Sequence, residues 1–227
     1  MTTVTVAGTT GLVGNHIRNI LTQLPNVTLI NAFTRKDLPE NPKVKSIKAQ
    51  DHTTWPSLYP KDSALFISSL GTTRANAGSI EAQRKIDLNL NLDLAKAAKA
   101  AGTKAYVLIS GHGANPSSIN AYIKMKGELE EAVKALQFEH CIILRPGLIV
   151  GDRSESRMAE GVARKLAGFM GSVGGNRLKD FWAQDADVIA KAAVRAGLDA
   201  VEGKGEAGVR ILVQGDIVRL GRTEWKD

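Results

Sequence analysis

The sequence contains a single cysteine, Cys141, among 227 residues. That excludes a disulfide within the chain and a thiol-based metal cluster, and it suits a reducing compartment. Cys141 lies in the apolar run 141–144 and reads as core. Histidines number four and are scattered without clustered acids, so no metal site is expected and His112 reads as a loop residue. Aromatic residues make up only 5% of the chain, which leaves few platforms for stacking bases. The net charge of +7 is spread along the chain with no dense basic block, so nucleic acid is not expected as a partner. A basic surface of this kind favours the approach of an anionic ligand. No stretch nears the 18 or so continuous apolar residues of a membrane span, and any membrane contact is expected to be peripheral. With the first apolar run starting near residue 4, no cleavable leader is expected.

Glycine is plentiful, at 22 residues, and three of them are evenly placed near the start. The apolar run Val4 to Ala7 leads into Gly8, Gly11 and Gly14. Residues 15–24 then carry Ile17, Ile20, Leu21 and Leu24 on one helical face, and a second apolar run follows from Val27 to Phe33. Strand, glycine turn, helix and strand in this order form a dinucleotide-binding βαβ unit. The first glycine permits the tight turn and the second lets backbone approach a pyrophosphate. The third allows close helix packing, and the helix N-terminus offers free N–H groups to the anion. Gly8, Thr10, Gly11, Leu12 and Val13 are therefore candidate cofactor contacts. Gly168, Gly171 and Gly174 repeat the spacing, but no strand run precedes them and no long helix follows; they read as a loop.

An NAD-preferring unit places an acid about 20 residues after this fingerprint, on the ribose 2′-hydroxyl. Here the second strand ends in Thr34, Arg35 and Lys36, and the first acid is Asp37. Two cations suit a 2′-phosphate, with Arg35 donating as a fork, so NADP(H) is the expected cofactor.

Further strands are expected at 44–49, 64–69, 105–109, 139–144 and 209–213. Residues 55–61 read as a linker with at most a helical turn. Asp51, at the end of the third strand, is a candidate neighbour of the adenine. The small residues of 70–78, LGTTRANAG, follow the fourth strand and form the expected crevice, with Leu70, Gly71 and Thr72 as candidate cofactor contacts. A long helix is expected from Ser79 to Ala101, burying Ile86, Leu90, Leu94 and Ala97. After the sixth strand, Arg145-Pro146-Gly147 turns the chain across the crevice, where Pro146, Gly147, Leu148 and Ile149 would meet the nicotinamide. Residues 154–170 and 185–201 read as helices, the second with Asp185 as N-cap, and 154–182 as a lid.

A helix expected over 117–137 carries Ile119, Tyr122, Ile123, Leu129, Val133 and Leu136 at apolar-face spacing. Lys126 occupies that same stripe, one turn after Tyr122, whereas Lys124 falls on the outside. A nearby ammonium favours a phenolate and would lower the tyrosine pKa, which suits a proton donor and acceptor. Ser110, at the mouth of the fifth strand, is placed to hydrogen-bond a substrate oxygen. Ser110, Tyr122 and Lys126 are the candidate catalytic residues.

VAGTTGLVG, the Ser110 to Tyr122-x-x-x-Lys126 spacing and ILRPGLIVG resemble the short-chain dehydrogenase/reductase superfamily, in its atypical branch. More narrowly, GTTRANAGS, QRKIDLNLNLDLAKAAKAAG, YIKMKGELEEAV and FEHCIILRPG are similar to the fungal "found in mitochondrial proteome" oxidoreductases, with the animal Tat-interacting oxidoreductases more distant. The resemblance implies an NADP-binding Rossmann domain in which Tyr122 is the general acid/base and Lys126 holds the nicotinamide ribose. The expected location is cytoplasmic or, as the resemblance implies, peripheral on the mitochondrial outer membrane. Relatives usually read Ser-Ser after the fifth strand, where this chain has Ser110-Gly111. The superfamily's helix asparagine has two candidate counterparts, Asp87 and Asn89.

The expected architecture is α/β: a Rossmann-type doubly wound parallel sheet, with residues 1–153 as the NADP-binding core and 154–227 as a small substrate or lid region completing the same domain. The expected function is NADP(H)-dependent oxidation or reduction of a small carbonyl/alcohol substrate, with a homodimer possible. A non-catalytic NADP(H)-binding sensor or scaffold is the alternative.

Overall fold

A computed structural model describes residues 1–151 and 183–225. Its strands are β1 (Thr2–Ala7), β2 (Val27–Thr34), β3 (Val44–Lys48), β4 (Leu65–Ser68), β5 (Ala105–Ile109), β6 (His140–Leu144), β7 (Leu148–Val150), β8 (Ala183–Asp185) and β9 (Gly208–Leu212). Seven of them form one parallel sheet in the order β3-β2-β1-β4-β5-β6-β9, and β7 and β8 pair separately. Every residue of β4, β5 and β6 is buried, as expected of strands covered on both faces.

One face is covered by α1 (Leu12–Gln23) and by α6 (Ala186–Val201). Their core joins Val4, Ile17, Leu21, Ile30, Leu65, Val107 and Ile142 to Ile189 and Ala193. The other face packs Phe33, Phe66, Tyr106 and Ile143 against Leu94 of α4 (Asn91–Ala100) and Leu129 of α5 (Ala121–Lys134). The chain runs outward from β1 in both directions, so the order reverses between β1 and β4. A crevice opens there at the carboxyl ends of the strands.

Four segments differ from the sequence reading. The helix expected over 79–101 comprises α3 (Ile80–Arg84), a π-helical turn (Lys85–Leu90) and α4. The wide turn shifts the phase, so Ile86 and Ala97 are half-buried while Gln83, Asp87, Asn91, Ala95 and Ala98 turn inward. Within the stretch 70–78, Arg74–Ala77 forms a short helix, α2, capped by Thr73 Oγ1. Residues 55–61 are not a linker. A 3₁₀ helix, His52–Leu58, buries Trp55, which stacks on Phe33 at 5.4 Å and donates Nε1 to Ala49 O. Finally, α5 starts at Ala121 rather than 117, because Asn120 Oδ1 accepts the N–H groups of Tyr122 and Ile123. Ile119, ahead of that cap, is fully exposed.

Toward the C-terminus, Asp185 precedes α6 but makes no side-chain cap; its carboxylate meets Arg222 at 3.3 Å. β9 joins the sheet as its parallel edge, and α7 (Gln214–Val218) and a π turn (Arg219–Thr223) follow. The helix, glycine loop and lid expected between 154 and 182 lie outside the described residues.

Close packing of α1 on β1 depends on Gly14, where a Cβ would stand 2.0 Å from Gly8 O and 2.5 Å from Ser69 Oγ. Gly14→Ala is expected to destabilise the protein by about 1–3 kcal/mol. Gly215→Ala, where nothing lies within 4 Å of the added carbon, should change stability by no more than about 0.5 kcal/mol. Urea denaturation of the two variants checks the contrast; equal effects would show that the approach at Gly14 is not limiting.

Candidate functional site

The glycine turn leaves β1 through Gly8, whose φ of +85° is a region that disfavours side chains. Gly11 N–H closes the turn onto Gly8 O at 2.9 Å, and Gly11 is the N-cap of α1, with no side chain to take the first N–H groups. Those donors are left for a ligand, and the helix dipole favours an anion at this point. Thr10 and Gly11 are exposed, Leu12 is half-buried and Val13 is core. Buried Thr9 donates Oγ1 to Phe33 O at 2.9 Å, which fixes the turn to the end of β2.

At that end, Arg35 and Lys36 are exposed. Gln50 Nε2 donates to Arg35 O, while Asp37 pairs with Lys48 at 2.6 Å and so offers no free acid beside the basic pair. Asp51 is exposed and caps the 3₁₀ helix, accepting from Thr53 N and Oγ1 at 2.9 and 2.6 Å. Those bonds hold its carboxyl below the usual range. Capping is the role the structure shows for Asp51.

The loop 70–72 is held by the wide helical turn. Asn91 Nδ2 donates to Leu70 O, Gln83 Nε2 donates to Thr72 O, and Thr72 N–H donates to Asp87 Oδ1 at 2.7 Å. Asn91 Oδ1 accepts from Ser68 Oγ at 2.5 Å, so this fully buried amide bridges β4 to the loop. π turns recur where a helix serves a site, and here the turn sends Asp87 inward onto the loop 70–72 while Lys85 and Asn89 stay exposed. Of the two candidates for the helix asparagine, Asp87 is buried on the crevice side and Asn89 is exposed.

At the mouth of β5, Tyr122 and Lys126 lie one turn apart on α5. Lys126 is 4% exposed and its Nζ lies 3.4 Å from Ile109 O. Burial pushes the ammonium pKa down, against the opposing pull of Asp87 and Glu130. Tyr122 is 44% exposed. Burial of its phenol end, and then the Asp87 charge, hold it above its ordinary value. That is the reverse of the expected direction. The Lys126 ammonium is turned to a carbonyl of β5, and the charge acting on the phenol is negative.

Ser110 is placed differently from its expected task. Its Oγ donates to Glu130 Oε1 at 2.5 Å, and Glu130, fully buried, also receives Arg145 through Nε at 3.1 Å and a terminal nitrogen at 2.5 Å. The hydroxyl is thus committed to a buried Ser–Glu–Arg cluster instead of the crevice. The neighbour of the phenol is position 111, where a Cβ on Gly111 would lie 3.5 Å from Tyr122 Oη.

Across the crevice, Pro146 O accepts His112 N–H at 2.7 Å, and Gly147 N–H donates to Gln184 Oε1 at 2.6 Å. Those groups, expected for the nicotinamide, are engaged within the protein. Leu148 is exposed and Ile149 half-buried on β7.

The carboxyl edge therefore brings together the glycine turn, the loop 70–72, Tyr122 and Lys126, and turns Ser110 away. Sequence reading missed Glu130, Arg145, Gln83 and Asn91. A signal existed for Glu130, which stands one turn after Lys126 on the same apolar stripe. Among the described residues there is no cluster of metal-ligating side chains.

Comparison with known proteins agrees with this frame. The family described as HIM1 matches residues 23–170. A protein named fmp52, mitochondrial, from Emericella nidulans is 50% identical, over 98% of this chain and 100% of its own. The one from Neurospora crassa is 42% identical, over 100% and 98%. Among solved structures, MoeE5 in complex with UDP-glucuronic acid and NAD superposes with a TM-score of 0.68 at 16% identity, covering 92% of this chain and 75% of that one. A short chain dehydrogenase family protein from Francisella tularensis gives 0.66 at 15%, covering 95% and 98%. At such identities the structures attest the fold alone, whereas the sequence matches run nearly end to end: this chain belongs to the HIM1 family, in its fungal Fmp52 branch, on a Rossmann fold of the short-chain dehydrogenase/reductase type.

Proposed function

We propose that this protein is an NADP(H)-dependent oxidoreductase acting on a small carbonyl/alcohol pair. The observation that carries the reading is the half-exposed Tyr122 one turn from buried Lys126, at the same carboxyl edge as the uncapped N-terminus of α1. Neighbouring folds whose structures contain NAD support a nicotinamide dinucleotide. The choice of NADP(H) rests on exposed Arg35 and Lys36, with Asp37 already paired to Lys48.

Bound NADPH would supply the hydride. Free N–H groups at the start of α1 would hold its pyrophosphate, and Arg35 would take the 2′-phosphate. Leu70, Gly71 and Thr72 line the crevice. Lys126 would hold the nicotinamide ribose, and Tyr122 Oη would move a proton to or from the substrate oxygen. Curated relatives carry "mitochondrial" in their names, and among the described residues no helix is long and apolar enough to cross a membrane. A peripheral position on the outer membrane is the location we propose.

A second reading has an observation of its own. With the Ser110 hydroxyl bound to Glu130 and none at Gly111, neither position offers the phenol a partner donor for a substrate oxygen. A non-catalytic NADP(H) sensor would show this pattern. NADPH consumption screened over aldehydes, ketones and quinones separates the two; tight NADPH binding with no turnover on any of them sinks the enzyme.

On the oxidoreductase reading, Tyr122→Phe should lower turnover by about 10²–10⁴ with NADPH affinity retained. Arg35→Ala should weaken NADPH by about tenfold or more and NADH little, as measured by fluorescence titration; equal losses would show that Arg35 does not discriminate. Gly111→Ser has room beside the phenol and should raise turnover by supplying the second donor. A fall in turnover with intact folding would show that the substrate occupies that space.

A further inference from the structure

Gln83, Asp87 and Asn91 follow one another at intervals of four residues and are 3%, 2% and 0% exposed. All three reach the loop 70–72. Asn91 Nδ2 donates to Leu70 O at 3.1 Å, Asp87 Oδ1 accepts Thr72 N–H at 2.7 Å, and Gln83 Nε2 donates to Thr72 O at 2.9 Å. Asp87 Oδ2 also lies 3.4 Å from where a Cβ would stand on Gly71. Leu70 O and both backbone groups of Thr72 are thus taken. Leu70 N–H and both groups of Gly71 have no hydrogen-bond partner among the described residues.

A regular α-helix does not present such a row to one short loop. At 3.6 residues per turn, each step of four residues drifts by about 40°, so Gln83 and Asn91 would face directions about 80° apart. The π turn Lys85–Leu90 lies inside the row, and its wider i→i+5 winding takes that drift back. Asn91 also holds the turn itself, donating to Ile86 O and Asp87 O, and it accepts from Ser68 Oγ at 2.5 Å. The end of β4, the loop and the wide turn are therefore one hydrogen-bonded unit.

Taking the crevice as the cofactor site proposed above, we infer that Gln83, Asp87 and Asn91 are positioning residues that clamp the loop 70–72 in the conformation a dinucleotide meets. A loop free to leave that conformation binds only for the fraction of time it spends there, and the apparent dissociation constant rises by the inverse of that fraction. The clamp removes this penalty before the ligand arrives, without its members touching the ligand. Toward the loop, Asp87 works through its acceptor oxygen rather than through its charge.

The test compares Asp87→Asn with Asp87→Leu. Both remove the charge that acts on Lys126, and both keep a branched side chain of similar size, so their difference isolates the acceptor for Thr72 N–H. Fluorescence titration should find NADPH about tenfold or more weaker on Asp87→Leu than on Asp87→Asn. Gln83→Leu, which leaves Thr72 O without its donor, is a second variant judged against the wild type in the same way. Amide hydrogen exchange at Thr72 reads the clamp with no ligand present. It should be slow in the wild type and in Asp87→Asn, and faster in Asp87→Leu. Equal NADPH affinity of the folded Asn and Leu variants overturns the inference, and so does equally slow exchange. Faster exchange with undiminished affinity shows a clamp that the cofactor does not use, which overturns it as well. The expected contrast in affinity with no turnover on any carbonyl supports the clamp and counts against the oxidoreductase reading. A wild type that binds neither NADPH nor NADH defeats the cofactor reading and the positioning role together, whatever the exchange shows.

Discussion

Burying the Lys126 ammonium sets the terms for the whole carboxyl edge of the sheet. A charge removed from water needs compensation nearby, because its desolvation costs several kcal/mol. Two buried carboxylates act on Lys126, Asp87 from the wide helical turn and Glu130 one turn further along α5. Each carboxylate must in turn be satisfied. Asp87 takes the N–H of Thr72, which ties the loop 70–72 to the helix. Glu130 takes Ser110 and both donors of the Arg145 fork, which ties the end of β5 to the end of β6. One lysine on an apolar stripe thus accounts for the positions of four segments.

The same compensation explains why Ser110 does not face the crevice. A buried carboxylate with an arginine on one side still has acceptor capacity, and a hydroxyl at 2.5 Å satisfies it better than an open cleft does. The residue left beside the phenol is Gly111. At the Tyr122 phenol, burial first and then the Asp87 charge favour the protonated form, and position 111 beside it offers no hydroxyl.

The dinucleotide end works by different physics. Charge compensation plays little part there; the geometry comes from missing side chains. Gly8 adopts a φ that other residues disfavour, Gly14 admits the helix to the strand, and Gly11 leaves the first turn of α1 uncapped. Local chain stereochemistry suffices to build this half. The proton-handling half needs contacts between residues far apart in the chain.

That contrast marks what was legible in the sequence. The βαβ unit, the parallel strands, the buried position of Lys126 and the helix over residues 186–201 follow from apolar periodicity and glycine spacing, which are local properties of the chain. Fold class and family were determined at that level. Periodicity assumes a regular helix, so it could not register the π turn that rotates Asp87 and Asn91 inward, nor the Asn120 cap that starts α5 late. It also sees which face a side chain takes, but not which partner it finds there. Only the tertiary structure decided that Ser110 binds Glu130, that Gly147 N–H belongs to Gln184, and that Asp87 takes the N–H of Thr72. Those outcomes depend on competition among buried polar groups for a limited set of partners, and that competition exists only once the sheet and its helices have closed around them.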